Sequence, residues 1–334
     1  MTATRILLVI GSNSFSGASF VAQALRQGWQ VVGVSRSPEP HHCYLPYRWL
    51  DSEQQAKFEF HQLNIRQNAA QIAELVESNR IPFVVNFAAL GMVAESWQYP
   101  LDYYNTNLLG NVALHEALRK VPCLQKYVHI STPEVYGTTD GMIDESAPLN
   151  PSTPYAASRA ACDIHLKTFL AEYDFPVVWT RAANVYGPGQ QPFRIIPRVI
   201  LCHRLGQTLD LHGGGGSVRS FIHFDDVASA TLKITEEAKP GSCYHISSNR
   251  FVSIKQLAEL ISDRLGKPLD NIARVTAERP GKDHAYSLDS TRCRQQFNWT
   301  DQVELEQGID ETIAWVDRWL DSLKTLPLHY QHKA

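Results

Sequence analysis

The sequence predicts an α/β protein: a doubly wound parallel sheet followed by a smaller C-terminal α/β domain. Three observations carry this. Short apolar runs alternate with helix-spaced segments through the first half. The first of those runs is continuously apolar, as expected for a strand buried on both faces. After Arg181 the interleaving loosens, and Gly and Pro become dense in residues 186–193 and 212–216.

In order along the chain, Ile6–Ile10 is the first strand and Phe15–Gln27 the first helix. Gln30–Ser35 and Phe58–Gln62 are the next strands. Ala69–Ser78 is amphipathic, with Ile72, Leu75 and Val76 on one face. Pro82–Phe87, Lys126–Ile130 and Pro176–Thr180 are further strands, separated by helices at about Leu101–Lys120 and Tyr155–Tyr173. Later helices are expected at about Arg194–Leu205, Asp225–Glu236, Ile254–Leu265 and Val303–Leu320. The expected division is 1–181 for the first domain and 182–330 for the second, with about 220–246 returning to the first. His212 to Gly216 reads as a flexible turn.

The chain has 334 residues, with Lys+Arg 31 against Asp+Glu 34 and a formal charge of −3. Near-neutral charge argues against a dedicated nucleic-acid binder. No apolar run approaches the roughly 18 residues that span a membrane. Ile6–Ile10 is too short for a signal-peptide core. The six Cys lie far apart with no CxxC pair, which fits a reducing cytoplasm and neither disulfides nor zinc. His41-His42-Cys43 reads as a loop, because adjacent side chains point apart; no metal site is expected. Trp315 and Trp319, one helical turn apart, read as core contacts.

Gly11-Ser12-Asn13-Ser14-Phe15-Ser16-Gly17 links the first strand to the first helix. Such a turn lets a dinucleotide pyrophosphate approach backbone N–H groups at a helix N-terminus. Ser14 stands where the middle glycine of that fingerprint is usual. After the second strand, Ser35-Arg36-Ser37 has no acid to accept from ribose hydroxyls, and Arg36 suits a 2′-phosphate. NAD or NADP is expected, leaning to NADP.

Two further segments, His129 to Gly137 and Tyr155 to Arg159, complete a pattern with that turn. The chain resembles extended short-chain dehydrogenase/reductases, the family of nucleotide-sugar 4,6-dehydratases, epimerases and decarboxylases. Phe87-Ala88-Ala89, Thr106-Asn107, residues 184–188, 219–223 and 279–283, and Asn298-Trp299 extend the resemblance over nearly the whole chain.

The resemblance implies a Rossmann-type dinucleotide domain and a nucleotide-sugar domain. It makes Tyr155 the base for the sugar hydroxyl, with a cation four residues on that favours its phenolate. That cation is Arg159, where the family has Lys. Thr132 would hydrogen-bond the sugar O4, and Glu134 would remove the C5 proton. Pro133 stands where glucose-type dehydratases have an Asp that protonates the departing hydroxyl; GDP-mannose-type dehydratases also lack it. The implied cofactor contacts are Gly11, Asn13, Ser14, Phe15, Gly17, Ser35, Arg36, Asn64, Ile65, Ala88, Ala89, Asn107, Tyr155 and Arg159. Besides Thr132, the implied substrate contacts are Asn184, Arg194, Arg219 and Arg279. The loop Leu90 to Ser96 is less polar than in glucose-type dehydratases, which suggests another sugar, for example an N-acetylhexosamine.

The expected function is therefore 4,6-dehydration of a nucleotide-diphosphate hexose by a cytoplasmic homodimer. Its dimer would pair Leu101–Lys120 and Tyr155–Tyr173 as a four-helix bundle. The alternatives are 4-epimerisation or nucleotide-glucuronate decarboxylation and, from another class, a noncatalytic NAD(P) sensor, to which Pro133 and Arg159 lend support. Neither a nucleic-acid nor a membrane partner is expected.

Overall fold

The computed structural model describes residues 5–139, 141–277 and 287–333. The chain begins β1 (Ile6–Ile10), α1 (Phe15–Arg26), β2 (Gln30–Ser35), a short α2 (Ser52–Gln55), β3 (Phe58–Gln62), α3 (Ala69–Ser78) and β4 (Phe83–Asn86). It continues α4 (Pro100–Tyr103), α5 (Asn111–Leu118), β5 (Lys126–Ile130), β6 (Met142–Ile143), α6 (Pro154–Tyr173), β7 (Val177–Ala182) and β8 (Asn184–Tyr186). Then come α7 (Ile195–Leu205), β9 (Leu209–His212), β10 (Val218–His223), α8 (Phe224–Glu237), β11 (Cys243–Ile246), β12 (Phe251–Ser253) and α9 (Ile254–Arg264). The last elements are β13 (Ala273–Thr276), β14 (Ser287–Leu288), α10 (Thr291–Phe297) and α11 (Leu305–Thr325).

Seven strands form one parallel sheet in the order β11-β7-β5-β4-β1-β2-β3. The expected doubly wound sheet is what the chain adopts. Leu7 and Val9 face a core with α1 and α8, and Leu8 and Ile10 face one with α3, α5 and α6. Burial on both faces is why β1 is apolar throughout. The winding reverses between β1 and β4, which opens a crevice beyond their carboxyl ends. Gly11 follows β1 and Phe87 follows β4, so both lie at that crevice.

A second core gathers α7, α9 and α11 around Ile196, Leu257, Ile309 and Trp315. Beside it β12, β10 and β8 make a three-stranded sheet. β11 returns to the edge of the main sheet beside β7, while β10 stays in the smaller one. Trp315 Nε1 donates to the Cys43 carbonyl over 2.9 Å, and Trp319 packs partly buried beside it. Cys43 is buried in a 3₁₀ turn. Gly213–Gly215 also forms a 3₁₀ turn.

The stretch expected as one helix over 101–120 differs. Between α4 and α5, Tyr104–Gly110 is a π-helix. The Asn111 amide donates to the Thr106 and Asn107 carbonyls at 3.2 and 3.1 Å, which satisfies backbone groups displaced from α-helical pairing. Asn107 is fully buried within this stretch, and its side chain clamps the Leu90 backbone on both sides. The strands after β7 were not read from sequence beyond a general expectation of short ones.

Candidate active site

The Gly-rich turn is built by its own small residues. Ser14 caps α1: its Oγ accepts from Gly17 N at 3.0 Å and donates to the Gly11 carbonyl at 2.7 Å. Gly11 N donates to the Val34 carbonyl at 2.7 Å, and Asn13 N to Ser35 Oγ at 3.0 Å. The Asn13 amide reaches the Ser37 carbonyl. A Cβ on Gly17 would sit 2.1 Å from the Gly11 oxygen, and one on Gly11, whose φ is +82°, 2.9 Å from Ala88 N. Only glycine allows so close an approach at the positive end of α1, and this cradle fits the pyrophosphate of a dinucleotide.

The other expected cofactor residues fall into four groups. Ala88 and Ala89 follow β4 at the crevice. Phe15 is buried edge-on against Phe224 and Ile65 is in the core, so each can offer only backbone there. Asn64 Oδ1 accepts from Arg66 N, within its own turn. Arg36 donates to the Lys333 carbonyl at 2.9 Å.

Thr132, Glu134 and Tyr155 come together. Thr132, buried at the end of β5, caps a 3₁₀ turn in which Pro133 takes the first position and Glu134 the second. Thr132 Oγ1 donates to Glu134 Oε2. Tyr155 opens α6, where Thr153 is the cap and Pro154 the first residue. Its ring meets Tyr103 edge-on at 6.2 Å. Burial pushes the Tyr155 phenol above its ordinary range, and the Glu134 charge pushes the same way. Arg159, the neighbouring Thr132 hydroxyl and Arg194 pull it down. The cation thus acts on the phenol in the expected direction, favouring the phenolate against burial and the carboxylate.

Arg159 is 2% exposed and turned towards β5. Its guanidinium donates to the Ile130 carbonyl and lies 3.3 Å from His129 Nε2. Behind it stands a polar network that sequence reasoning missed. Asp163, fully buried, accepts from Ser131 Oγ and Arg181 Nη2, each at 2.8 Å. Arg181 also donates to the Tyr136 hydroxyl, which is 2.7 Å from His245 Nε2. On the other side Tyr127 joins Asn86 at 2.7 Å to His115 at 3.0 Å. His115 and His129 are held far below their ordinary pKa, by burial first and by neighbouring charges second. His115, His129 and Cys162 bring ligand-type atoms within 4.8 Å of one another, but the guanidinium beside His129 sets a positive charge against any cation there. The one sequence signal was charged and polar residues inside apolar strands and on the inward stripe of α6.

On the substrate side, Arg194 stands at the residue before α7, and its charge acts on Tyr155. Asn184 and Arg219 lie on the adjacent strands β8 and β10, with Phe221 opposite Asn184. Arg219 is buried and donates to the Val218 carbonyl. Arg279 lies outside the described residues.

A family model described as the NAD dependent epimerase/dehydratase family matches residues 7–247. Human dTDP-D-glucose 4,6-dehydratase is 34% identical over 247 residues, 72% of this chain and 70% of that protein. The dTDP-glucose 4,6-dehydratase of Xanthomonas campestris is 29% identical over 326 residues, 92% of each. Among solved structures, a Streptomyces venezuelae dTDP-glucose 4,6-dehydratase with NAD bound superposes with a TM-score of 0.85 at 29% identity, covering 95% of this chain and 99% of that one. A Bacillus anthracis dTDP-glucose 4,6-dehydratase in complex with NAD gives 0.85 at 28%, covering 96% and 100%. With its glycine cradle at the sheet's switch point and its Thr-Glu-Tyr cluster, the chain belongs to the NAD-dependent epimerase/dehydratase family.

Proposed function

We propose that the protein is a nucleotide-sugar 4,6-dehydratase acting on a hexose carried by a pyrimidine nucleoside diphosphate. The observation that carries this is Glu134, whose charge acts directly on Tyr155 while its oxygen is held by Thr132. An epimerisation at C4 needs a base for the hydroxyl but no second carboxylate at the sugar. The dehydratase names of the relatives support the same reading, and the pyrimidine is taken from their thymidine and uridine sugars.

When bound, the nicotinamide supplies the acceptor for hydride from C4 and its donor to C6. Tyr155 Oη takes the proton of the 4-hydroxyl, which Thr132 orients. The resulting C4 carbonyl acidifies C5–H. Glu134 takes that proton and passes it to the C6 hydroxyl, which leaves as water; C5 then regains a proton from solvent as C6 is reduced, balanced by the proton that Tyr155 releases. Pro133 has no proton to give, so Glu134 serves as both base and acid. Burial of Thr132 and Tyr155 keeps water from competing for these transfers.

The cofactor in this reading is NAD. Arg36, the basis for the NADP lean, is engaged by the Lys333 carbonyl, and the solved relatives hold NAD. We also read the chain as a cytoplasmic homodimer divided near residue 181. Leu101, Leu109 and Ile164 are 75%, 57% and 54% exposed on the helical stretches expected to pair. Light scattering that gives a monomer at micromolar concentration would remove the dimer. Among the described residues no helix is long and apolar enough to cross a membrane.

The test is a pair of variants. Glu134→Gln should still oxidise C4 and accumulate reduced cofactor absorbance without turnover. Tyr155→Phe should leave the cofactor oxidised. Full turnover in Glu134→Gln would defeat the assignment.

A further inference from the structure

The segment that follows α11 leaves the second core and reaches the first. Leu326, Leu328, Tyr330 and His332 are partly buried, while 327, 329, 331 and 333 are exposed. This period of two means that one edge of the segment lies against the protein. Leu326 and Leu328 pack on the second core. Tyr330 meets Phe193 edge-on at 5.5 Å, and its hydroxyl lies 3.4 Å from His332 Nδ1. His332 stacks on Tyr99 at 4.2 Å and pairs with Asp102 Oδ2 at 2.9 Å. The Lys333 carbonyl takes the Arg36 donor.

The groups around Tyr330 say what lies beneath. His332 also stacks against the Tyr103 ring at 6.2 Å, and the Phe193 ring that Tyr330 meets carries the Arg194 guanidinium 5.7 Å from its centre. Arg36 is joined to the glycine cradle, because Asn13 bonds its neighbour Ser37. Arg194 acts on Tyr155, and Tyr103 packs against Tyr155. The segment therefore runs across the mouth of the crevice, from the reacting tyrosine to the strand end beside the cradle.

We propose that residues 326–333 are a strap that closes the dinucleotide into the crevice, with Tyr330 and His332 as positioning residues that fasten it. The strap rests on the dinucleotide reading above. It suits a reaction whose cofactor is restored in each cycle and has no need to leave.

The experiment loads the full chain with NAD and dilutes it into a coupled trap that reduces any released NAD. Release is followed by absorbance for the full chain, for the double variant Tyr330→Ala/His332→Ala, and for a variant lacking residues 329–334. That deletion keeps Leu326 and Leu328, which pack on the second core. Thermal unfolding checks that each variant is folded, and the double variant carries the test if the deletion does not fold. Release about tenfold faster or more in either folded variant supports the strap. Equal release rates from the full chain and a folded variant overturn it while leaving the dinucleotide reading intact. A full chain that retains no dinucleotide overturns both.

Discussion

Gly17→Ala places one methyl group where the structure has no room. Its Cβ would lie 2.1 Å from the Gly11 carbonyl oxygen, 2.8 Å from the Gly11 carbonyl carbon and 3.0 Å from Ser14 Oγ. Two of these neighbours are backbone and cannot swing aside. Ordinary contact begins at 3.4 Å, so the turn must open by about 1.3 Å. That moves the N–H groups of α1 off the pyrophosphate position. Losing one or two charge-assisted hydrogen bonds costs about 3 kcal/mol, or roughly 100-fold in affinity. Strain in the packed turn adds about 1–3 kcal/mol of lost stability. The assay is calorimetric titration with NAD at 25 °C, with Gly28→Ala as control. Gly28 also has a φ of +82°, but nothing lies within 4 Å of its Cβ. The control should cost about 1 kcal/mol of stability and leave NAD affinity unchanged. If Gly17→Ala binds NAD within threefold of wild type, the cradle is not the pyrophosphate site and the reasoning fails.

Arg159→Ala should move the acid limb of the kcat/KM profile to higher pH, because Tyr155 loses a charge that opposes burial; Arg159→Lys should move it less, and an unchanged profile in Arg159→Ala would remove the role. Asp163→Asn leaves Arg181 buried without its counter-charge and should cost about 4 kcal/mol, a drop of about 6 °C in Tm for 334 residues. His245 sits at about 4 instead of 6.5, mainly through burial, so it is neutral in the fold. Its contribution to stability is complete above pH 6.5 and is lost as pH falls towards 4, because the unfolded chain takes up the proton first. Urea midpoints should show about 2 kcal/mol lost at pH 5 through this group, and His245→Gln should abolish that part of the pH dependence.

Most of the main sheet was legible because strands such as β1 and β4 are short apolar runs beside helix-spaced segments, and burial on both faces keeps most of their positions apolar; β11 was not. Tyr155 and Thr132 were legible through the family resemblance, whose motifs place one at the start of a helix and the other just after a core strand. The π-helical stretch was not, since seven residues at 104–110 keep nearly the same spacing as an α-helix. What changes there is the side-chain pairing of Asn107 and Asn111. The direction of Arg159 was hidden as well. Its charge is a property of the residue, but its turn towards Ile130 depends on β5, some thirty positions away. The Asp163–Arg181 pair and the Tyr136–His245 contact join distant elements in the same way. In the segment 326–333 Leu326, Leu328 and Tyr330 alternate with other residues, but the stretch is too short to say what it packs on, and its contacts with Phe193, Asp102 and Arg36 reveal where it lies.

The central claim is dehydration, and one measurement reaches it most directly. Wild-type enzyme is incubated with dTDP-glucose and UDP-glucose in D2O and the products are weighed by mass spectrometry. The account predicts a product lighter by one water, carrying one solvent deuteron at C5 and a carbonyl at C4. An unchanged mass with inversion at C4 would make the protein an epimerase and contradict the account. Substrate recovered unaltered from both incubations, with NAD bound throughout, would contradict it equally.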